Sequence, residues 1–406
     1  MNWKKKLRND WGRLDLTSKV LTDFTIGAGS YGIAASAVDK NELLPTYLRI
    51  TDIYDDGTLN FEGLKSVDDP KSDNYKLEPN DIVFARTGGS TGRNYFYDGE
   101  DGEFIFAGFL IKFSIDPEKC NPKFIKYYCQ SQEYKEWVQS FNTGSTRGNI
   151  NAKTFGNMPI PYVSRKQQDL IVKTLSALDD KIAENKKINH HLAEIAKSIF
   201  DSYFIDLSPY NGVMPDDWQL SNLTGIANYL NGLAMQKHRP QSNEQGLPVL
   251  KIKELRQGFT DSTSDLCSSN IRRDYIIHDG DVIFSWSGSL LVDFWTGGDC
   301  GLNQHLFKVS SETYDKWFYY AWTKHHLDRF VKMAADRATT MGHIKRDALE
   351  KAEVLIPSNK DYQEIGNKLK PIYDQIINNR VESRKLVALR DTLLPKLMSG
   401  EISVTD

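Results

Sequence analysis

The chain is poor in cysteine: four in 406 residues (Cys120, Cys129, Cys267, Cys300), far apart and never as CxxC. That spacing excludes a disulfide framework and a zinc ribbon, and it points to a reducing, cytoplasmic setting. No apolar run reaches the length that would cross a bilayer. The basic cluster Met1-Asn2-Trp3-Lys4-Lys5-Lys6 has no apolar segment behind it, so no signal peptide is expected. A basic excess is missing too: the formal net charge is −3. Residues 1–160 hold 20 basic against 22 acidic residues, and 206–357 hold 16 against 19. A lone nucleic-acid binder is expected to be basic, so bulk charge nominates no such partner.

Catalytic signatures are also lacking. There is no HExxH, no GxSxG elbow, no Asn/Asp-Pro-Pro-aromatic tetrapeptide and no nuclease-like carboxylate cluster. His190-His191 and His325-His326 are adjacent pairs and cannot share a helix face as ligands four apart do; they are read as solvated or capping. Gly27-Ala28-Gly29-Ser30-Tyr31-Gly32, with Asp52 twenty residues on, imitates a dinucleotide fingerprint. The matching segment Asn231-Gly232-Leu233 lacks the pattern, and the surroundings do not alternate as βαβ units. A flexible Gly/Ser loop is the expectation there. Gly88-Gly89-Ser90-Thr91-Gly92-Arg93-Asn94 lacks the Lys-Ser/Thr pair of a phosphate loop. Catalytic, cofactor-binding and metal-binding residues are all expected to be none.

What is present is a duplication. Asp10-Trp11 returns as Asp217-Trp218, and Leu48-Arg49-Ile50-Thr51-Asp52-Ile53 as Leu250-Lys251-Ile252-Lys253-Glu254-Leu255. Asp81–Gly88 returns as Asp281–Gly288, Gly148-Asn149-Ile150 as Gly342-His343-Ile344, and Pro159-Ile160-Pro161 as Leu355-Ile356-Pro357. The offset drifts only from 207 to 194, too long a period for a solenoid. Two related, non-identical halves suggest a molecule that grips two related, different things.

Each half opens with a mixed region and closes with a long helix. The organisation expected is a mixed domain over 1–160, a helix over 161–205, a second mixed domain over 206–357 and a second helix over 358–406. Asp81–Ala85, Phe104–Ala107 and Asp281–Ser285 read as strands. The aromatic-rich segments Pro122–Phe141 and Tyr314–Met333 read as helices packed on the sheet. In the closing segments Ile171, Leu175, Leu178, Ile182, Asn185, Asn189, Leu192, Ala196, Ile199 and Tyr203 alternate spacings of four and three, and adding 194 gives the second series from Ile365 to Leu397. This is a coiled-coil seam.

Ser164 with Gln167, and Asp361 with Glu364, are capping-box spacings, and Gly400 is a helix stop. Pro371 is expected to end a short lead helix at about Lys370 and start the long one, with an equivalent bend near Ala177. Antiparallel pairing sets Ile171 against Leu397 and Tyr203 against Ile365. It also sets Asn185 against Ser383 and Asn189 against Asn379, a central polar layer that would lock register. At 1.5 Å per residue it would hold the mixed regions about 40–60 Å apart.

Loops in matching places carry groups that read bases or phosphates. In the first half these are Arg86, Thr87, Ser90, Thr91, Arg93 and Asn94, then Thr143, Ser145, Thr146, Arg147 and Asn149. In the second they are Lys237, Trp286, Ser287 and Ser289, then Arg337, Thr339, Thr340, His343 and Lys345. Arg forks onto guanine and Asn onto adenine, while Ser, Thr and Lys hold the backbone.

The whole chain resembles the specificity subunit of a type I restriction-modification system. The resemblance rests on Asn149-Ile150-Asn151 leading to Met158-Pro159-Ile160-Pro161, then Gln167-Gln168-Asp169-Leu170-Ile171, Leu178-Asp179-Asp180-Lys181-Ile182, Ile199-Phe200-Asp201-Ser202-Tyr203-Phe204, and Arg390-Asp391-Thr392-Leu393-Leu394-Pro395-Lys396-Leu397-Met398-Ser399-Gly400-Glu401-Ile402. It implies an α+β chain: two similar mixed α/β target-recognition domains, separated by two long helices forming an antiparallel coiled coil with pseudo-two-fold symmetry. It implies a non-catalytic subunit that reads a split site on double-stranded DNA. Two methyltransferase subunits would carry S-adenosylmethionine, and a restriction/translocase subunit would use ATP and Mg. No membrane is involved, and partners would supply much of the phosphate clamp. Two other readings stay open: a coiled-coil scaffold joining protein partners without DNA, and a nucleotide-cofactor enzyme using the Gly27–Gly32 loop.

Overall fold

The computed structural model describes residues 19–141, 148–335 and 346–402. They separate into two compact units, the first drawn from Met1–Asp179 and Ala388–Asp406, the second from Asp180–Val387.

The first unit is built on two four-stranded sheets. Strands β2 (Ser30–Tyr31), β9 (Leu110–Ser114), β6 (Asp81–Ala85) and β7 (Asn94–Tyr97) form one, antiparallel throughout. Strands β3 (Ala37–Val38), β5 (Lys65–Val67), β4 (Thr46–Leu48) and β8 (Phe104–Phe106) form the other, in which β4 and β8 run parallel. β6 is buried along its whole length. Its alternate side chains feed two cores, Ile82 and Phe84 on one side and Val83 and Ala85 on the other. Among the described residues a further pair, β1 (Lys19–Val20) with β10 (Pro159–Ile160), leads towards the first long helix.

The second unit repeats this plan. β12 (Asn228–Asn231), β19 (Leu306–Ser310), β16 (Val282–Ser285) and β17 (Leu291–Phe294) form its antiparallel sheet. β13 (Leu247–Leu250) pairs parallel with β18 (Cys300–Leu302), flanked by β14 (Leu266–Cys267) and β15 (Ile276–Ile277). An aspartate at the head of the central strand, buried in the first unit and half-buried in the second, meets a lysine in both: Lys112 Nζ lies 3.0 Å from Asp81, and Lys308 Nζ 2.8 Å from Asp281.

The aromatic-rich segments are core, but each is two helices rather than one. Pro122–Tyr128 is followed by Gln132–Gln139, and Lys316–His325 by Leu327–Ala335. Ser131 breaks the first segment because its side chain accepts the Tyr134 N–H and caps a fresh helix. In the second, His326 occupies the break and is buried: its Nε2 lies 2.8 Å from the Glu353 carbonyl oxygen, and its ring stacks on Trp322. His325 packs against Phe200 and Trp322. Desolvation, partial for His325 and greater for His326, pushes both imidazoles below the usual histidine range. The solvated reading is corrected for His326 alone, which is buried at the C-cap of Lys316–His325, the capping alternative; His325 is exposed, as are His190 and His191 beside Glu194.

The Gly27–Gly32 segment is also not a loose loop. A Cβ on Gly29 would sit 2.4 Å from the Phe113 ring, and one on Gly32 would sit 2.2 Å from the Phe106 carbonyl oxygen. Gly232 meets the Asn303 carbonyl oxygen at the same 2.2 Å. Both glycines let one strand cross the start of a parallel bridge, Ile33 to Ala107 and Leu233 to Asn303. Asp52 is 1% exposed and takes bonds from the backbone N–H and guanidinium of Arg49, so it braces its own turn.

The long helices are Arg165–Phe200 and Asn359–Met398. Ser164 and Gln167 form the first cap, with Ser164 N–H donating to Gln167 Oε1 at 3.1 Å. The second cap is Ser358 with Asp361, not Asp361 with Glu364: the Asp361 N–H donates to Ser358 Oγ at 3.3 Å. Asp361 also accepts the Trp218 indole N–H at 2.8 Å.

The second helix continues through Pro371, and the first through Ala177. The expected break fails because the flanking residues are anchored. Ile365 and Leu369 are fully buried, and Tyr373 and Ile376 nearly so, in the same core cluster. Proline there forfeits one backbone bond in a helix held by packing. Gly400, at φ +72°, closes the helix by donating its N–H to the Leu397 carbonyl.

Within each unit the helical segments run antiparallel. In the second, Asn185 meets Asn379 and Ser383, while Tyr203 meets Glu364 and Lys368. In the first, Asp179 accepts from Arg390 at 3.0 Å, and Ile171 and Leu175 share a core with Leu394 and Leu397.

Candidate nucleic-acid interface

In the first unit β6 ends at Ala85, and the next residue, Arg86, leaves the sheet at the edge shared with Tyr31. The Arg86 guanidinium lies 4.9 Å from the centroid of the Tyr31 ring, and its Nε and Nη2 each reach Asn149 Oδ1 at 3.4 Å. The Tyr31 hydroxyl accepts the Ala152 N–H at 3.2 Å. Thr87 bridges to Asn149, and the Thr91 hydroxyl donates to the carbonyls of Gly88 (2.8 Å) and Gly148 (3.0 Å). These bonds bring two loops far apart in sequence onto one surface. Phe109 belongs to it as well: its carbonyl accepts the Arg86 N–H at 3.0 Å, and its side chain is 61% exposed.

Strand pairing identifies the matching positions of the second unit. Tyr31 faces Ile111 and Asn231 faces Phe307, so Tyr31 and Asn231 are equivalent. By the same register Arg86 corresponds to Trp286 and Phe109 to His305. The Trp286 indole N–H donates to Asn231 Oδ1 at 3.0 Å, and its ring stacks on Phe307 at 5.6 Å. The Gln304 amide lies 3.2 Å from His305 Nε2, so the ring accepts there and Nδ1–H donates to Ser287 Oγ at 3.1 Å. A cationic pair on an aromatic ring in one unit is thus replaced by an indole–amide pair in the other. Beside His305 opens a cleft of 430 Å³ whose lining includes Gln236, Arg239, Lys251, Lys253 and Gln304. Lys251 is paired with Asp265 and Lys253 with Asp261, which tempers its positive charge. Lys237 stands exposed on the neighbouring turn Met235–Lys237.

Other expected contact residues are engaged within the fold. Arg93 Nε donates to Asp55 at 2.7 Å and Nη1 to the Ile53 carbonyl at 3.1 Å. Asn94 is 7% exposed and donates to the Cys129 carbonyl at 3.0 Å, and Ser287 is 2% exposed. Asn94 and Ser287 are interior groups, selected by residue type without regard to burial. Ser90 sits half-buried in the turn Gly88–Ser90, and Ser289 is exposed, its carbonyl accepting from Ser285 Oγ. Thr143, Ser145, Thr146, Arg147, Arg337, Thr339, Thr340, His343 and Lys345 lie outside the described residues. Tyr31, Phe109, Asn231 and His305 stand on the same surfaces and were not among the expected contacts. The repeat offset, 200 at Arg86 and 196 at Phe109, pairs them across the halves, but only the tertiary contacts of Arg86 single them out.

In the helical pair the Asn185 amide donates to Glu382 Oε2 at 2.8 Å and approaches Ser383 Oγ at 3.3 Å and the Asn379 carbonyl at 3.4 Å. Asn379 donates to Asn189 Oδ1 at 2.9 Å and accepts from Gln375 at 2.6 Å. All four cysteine thiols are pushed up by burial, Cys120 to about 12. Among the described residues, no cluster of three or more His, Cys, Asp or Glu has a metal-binding arrangement, and no helix is long and apolar enough to cross a membrane.

The type I restriction enzyme MjaIX specificity subunit of Methanocaldococcus jannaschii is 26% identical over 304 residues, 70% of each chain. The type I restriction enzyme HindI specificity subunit of Haemophilus influenzae is 19% identical, over 88% of this chain and 94% of that protein. The crystal structure of a type I restriction-modification system S subunit from M. genitalium shares the fold, with a TM-score of 0.58, 15% identity, and coverage of 95% of this chain and 96% of that one. Residues 46–194 and 215–385 each match the type I restriction modification DNA specificity domain. With two such domains, each centred on the sheets just described, the chain belongs to the family of type I restriction-modification specificity subunits.

Proposed function

We propose that the chain reads a bipartite target on double-stranded DNA, one half-site per mixed domain, and performs no chemistry itself. The observation that carries this reading is the replacement of Tyr31, Arg86 and Phe109 by Asn231, Trp286 and His305 at equivalent edges of one repeated scaffold. Arg, Asn and aromatic side chains are the groups that discriminate base edges, and a duplicated frame with divergent tips suits two different half-sites.

The long helices set the spacing between half-sites and dock two methyltransferase subunits, which bring S-adenosylmethionine. A restriction/translocase subunit brings ATP and Mg. Partner subunits also supply the cationic clamp that a chain of net charge −3 does not provide. The polar layer of Asn185, Asn189, Asn379 and Ser383 fixes the register of the helices. The setting is cytoplasmic.

The test is single-molecule methylome sequencing of a host with and without this chain. A two-part adenine-methylated motif that disappears with the chain is expected. An unchanged methylome, together with no retardation of random-sequence duplexes by the chain and a methyltransferase partner, would favour the scaffold reading and end this one.

A further inference from the structure

The Phe109 turn combines exposure with rigidity. A large apolar ring in water is unfavourable, and mobile loops often tolerate one; this turn is not mobile in its bonding. The Gly108 N–H donates to the Ile33 carbonyl (2.8 Å), Leu110 N–H to Ala107 (2.8 Å), Gly32 N–H to Leu110 (3.2 Å) and Arg86 N–H to Phe109 (3.0 Å). The ring is therefore presented by a frame bonded on both sides. The equivalent turn keeps that frame, with Leu306 N–H donating to Asn303 (3.0 Å) and Gly232 N–H to Leu306 (3.0 Å), but carries an imidazole whose two nitrogens are engaged by Ser287 and Gln304. The backbone is held constant while the presented chemistry changes from apolar to polar.

We infer that Phe109 is a specificity-determining residue, making apolar contact with the 5-methyl group of a thymine in the half-site of the first domain. This rests on the DNA-reading function proposed above. The groove follows from the neighbour: Arg86, bonded through its backbone to Phe109, is suited to the O6/N7 edge of guanine, and that edge and the thymine methyl both lie in the major groove. Aromatic contact with that methyl discriminates thymine from the three other bases without a hydrogen bond.

The test uses the full chain in its native locus and, purified, with its methyltransferase partner. Methylome sequencing of Arg86→Ala identifies the half-site read by the first domain. Phe109→Ala is then expected to make one T·A pair in that half degenerate, leaving the other half and the spacer intact, while Phe109→Leu keeps the motif. In binding assays, uracil at that thymine should weaken the native complex roughly fourfold, the worth of one buried methyl, and leave Phe109→Ala unaffected. An unchanged Phe109→Ala motif, equal relaxation of both halves, or indifference of the native complex to uracil throughout the half-site would each overturn the inference. If Phe109→Ala abolishes methylation altogether, the uracil scan of the native and Phe109→Leu complexes decides alone. Failure of the DNA-reading proposal itself would look different, because no motif would depend on the chain.

Discussion

Two asparagines in the helical seam should respond to the same substitution with opposite signs. Asn185 is 1% exposed; its amide nitrogen lies near three acceptors but has only two hydrogens, and its Oδ1 is buried without a partner. A buried, unsatisfied carbonyl costs about 1–3 kcal/mol. Asn185→Leu removes that oxygen and adds apolar burial of about 0.8 kcal/mol per methylene. The acceptors left behind lose little, since Glu382 is exposed and Ser383 Oγ already donates to the Asn379 carbonyl at 2.8 Å. The net expectation is a gain of about 1 kcal/mol. Asn379 is 5% exposed and satisfied on both sides of its amide, by Asn189 at 2.9 Å and Gln375 at 2.6 Å. Asn379→Leu leaves Asn189 Oδ1 without that donor and should cost about 1–3 kcal/mol. Thermal unfolding of the full chain reads both, with about 2–4 °C per kcal/mol for a unit of this size. If the polar layer fixes register, Asn185→Leu should also broaden the spacer of the methylated motif while raising the midpoint. Both variants shifting the same way, or a loss above about 1 kcal/mol for Asn185→Leu, would refute this account.

Gly32→Ala and Gly232→Ala should each destabilise their own unit by several kcal/mol, because the new methyl would meet backbone carbonyls at 2.2 Å that no rotamer can relieve; urea unfolding with separate fluorescence probes checks this. Arg93→Ala should leave the methylated motif unchanged and cost about 0–1 kcal/mol, since Arg93 faces an exposed Asp55, whereas Arg86→Ala should relax one half of the motif. Partial burial alone would raise the Asp279 carboxyl, but the Arg384 guanidinium and the Gly298 N–H outweigh it and hold it below the usual range. Its stabilising contribution is therefore complete above the unfolded value near 4 and lost as pH falls through the lower folded value. Asp279→Asn should unfold more readily at pH 7, and its deficit against the native chain should close below about pH 4.

Features governed by local bonding and periodicity were legible in the residues. The duplication, the central strands, the seam and the Ser164 cap each follow from short-range pattern. Ser358 was legible in principle, since it stands 194 residues after Ser164, but acidic spacing at Asp361 drew attention away from it. Pro371 shows where local reasoning loses: a proline that would end an isolated helix is carried by the buried Leu369 and Tyr373 beside it. The proposed interface was legible only in part because its members converge through tertiary structure. Arg86 and Asn149 are 63 residues apart, and Phe109 joins them through a backbone bond that no periodicity announces. Residue type put Asn94 and Ser287 among the readers; burial takes them out.

The pattern of what the halves keep and what they change separates the scaffold from the positions proposed to set specificity. Gly32 and Gly232 persist because only glycine fits against a crossing carbonyl, and the Lys112–Asp81 and Lys308–Asp281 pairs persist at the head of the central strand, where in the first unit the buried carboxylate needs its partner. Tyr31/Asn231, Arg86/Trp286 and Phe109/His305 have no such constraint, and there the chemistry diverges completely. The docking of each domain on its helices has diverged as well. Tyr127 donates to Asp179, which also accepts from Arg390, whereas in the second unit Tyr320 meets Tyr373 edge-on at 5.1 Å while Arg380 pairs with Asp293 and Arg384 with Asp279. Both junctions thus include ion pairs that salt weakens. Raising ionic strength should therefore weaken both seats together, and a first domain that loosened well before the second would refute this reading.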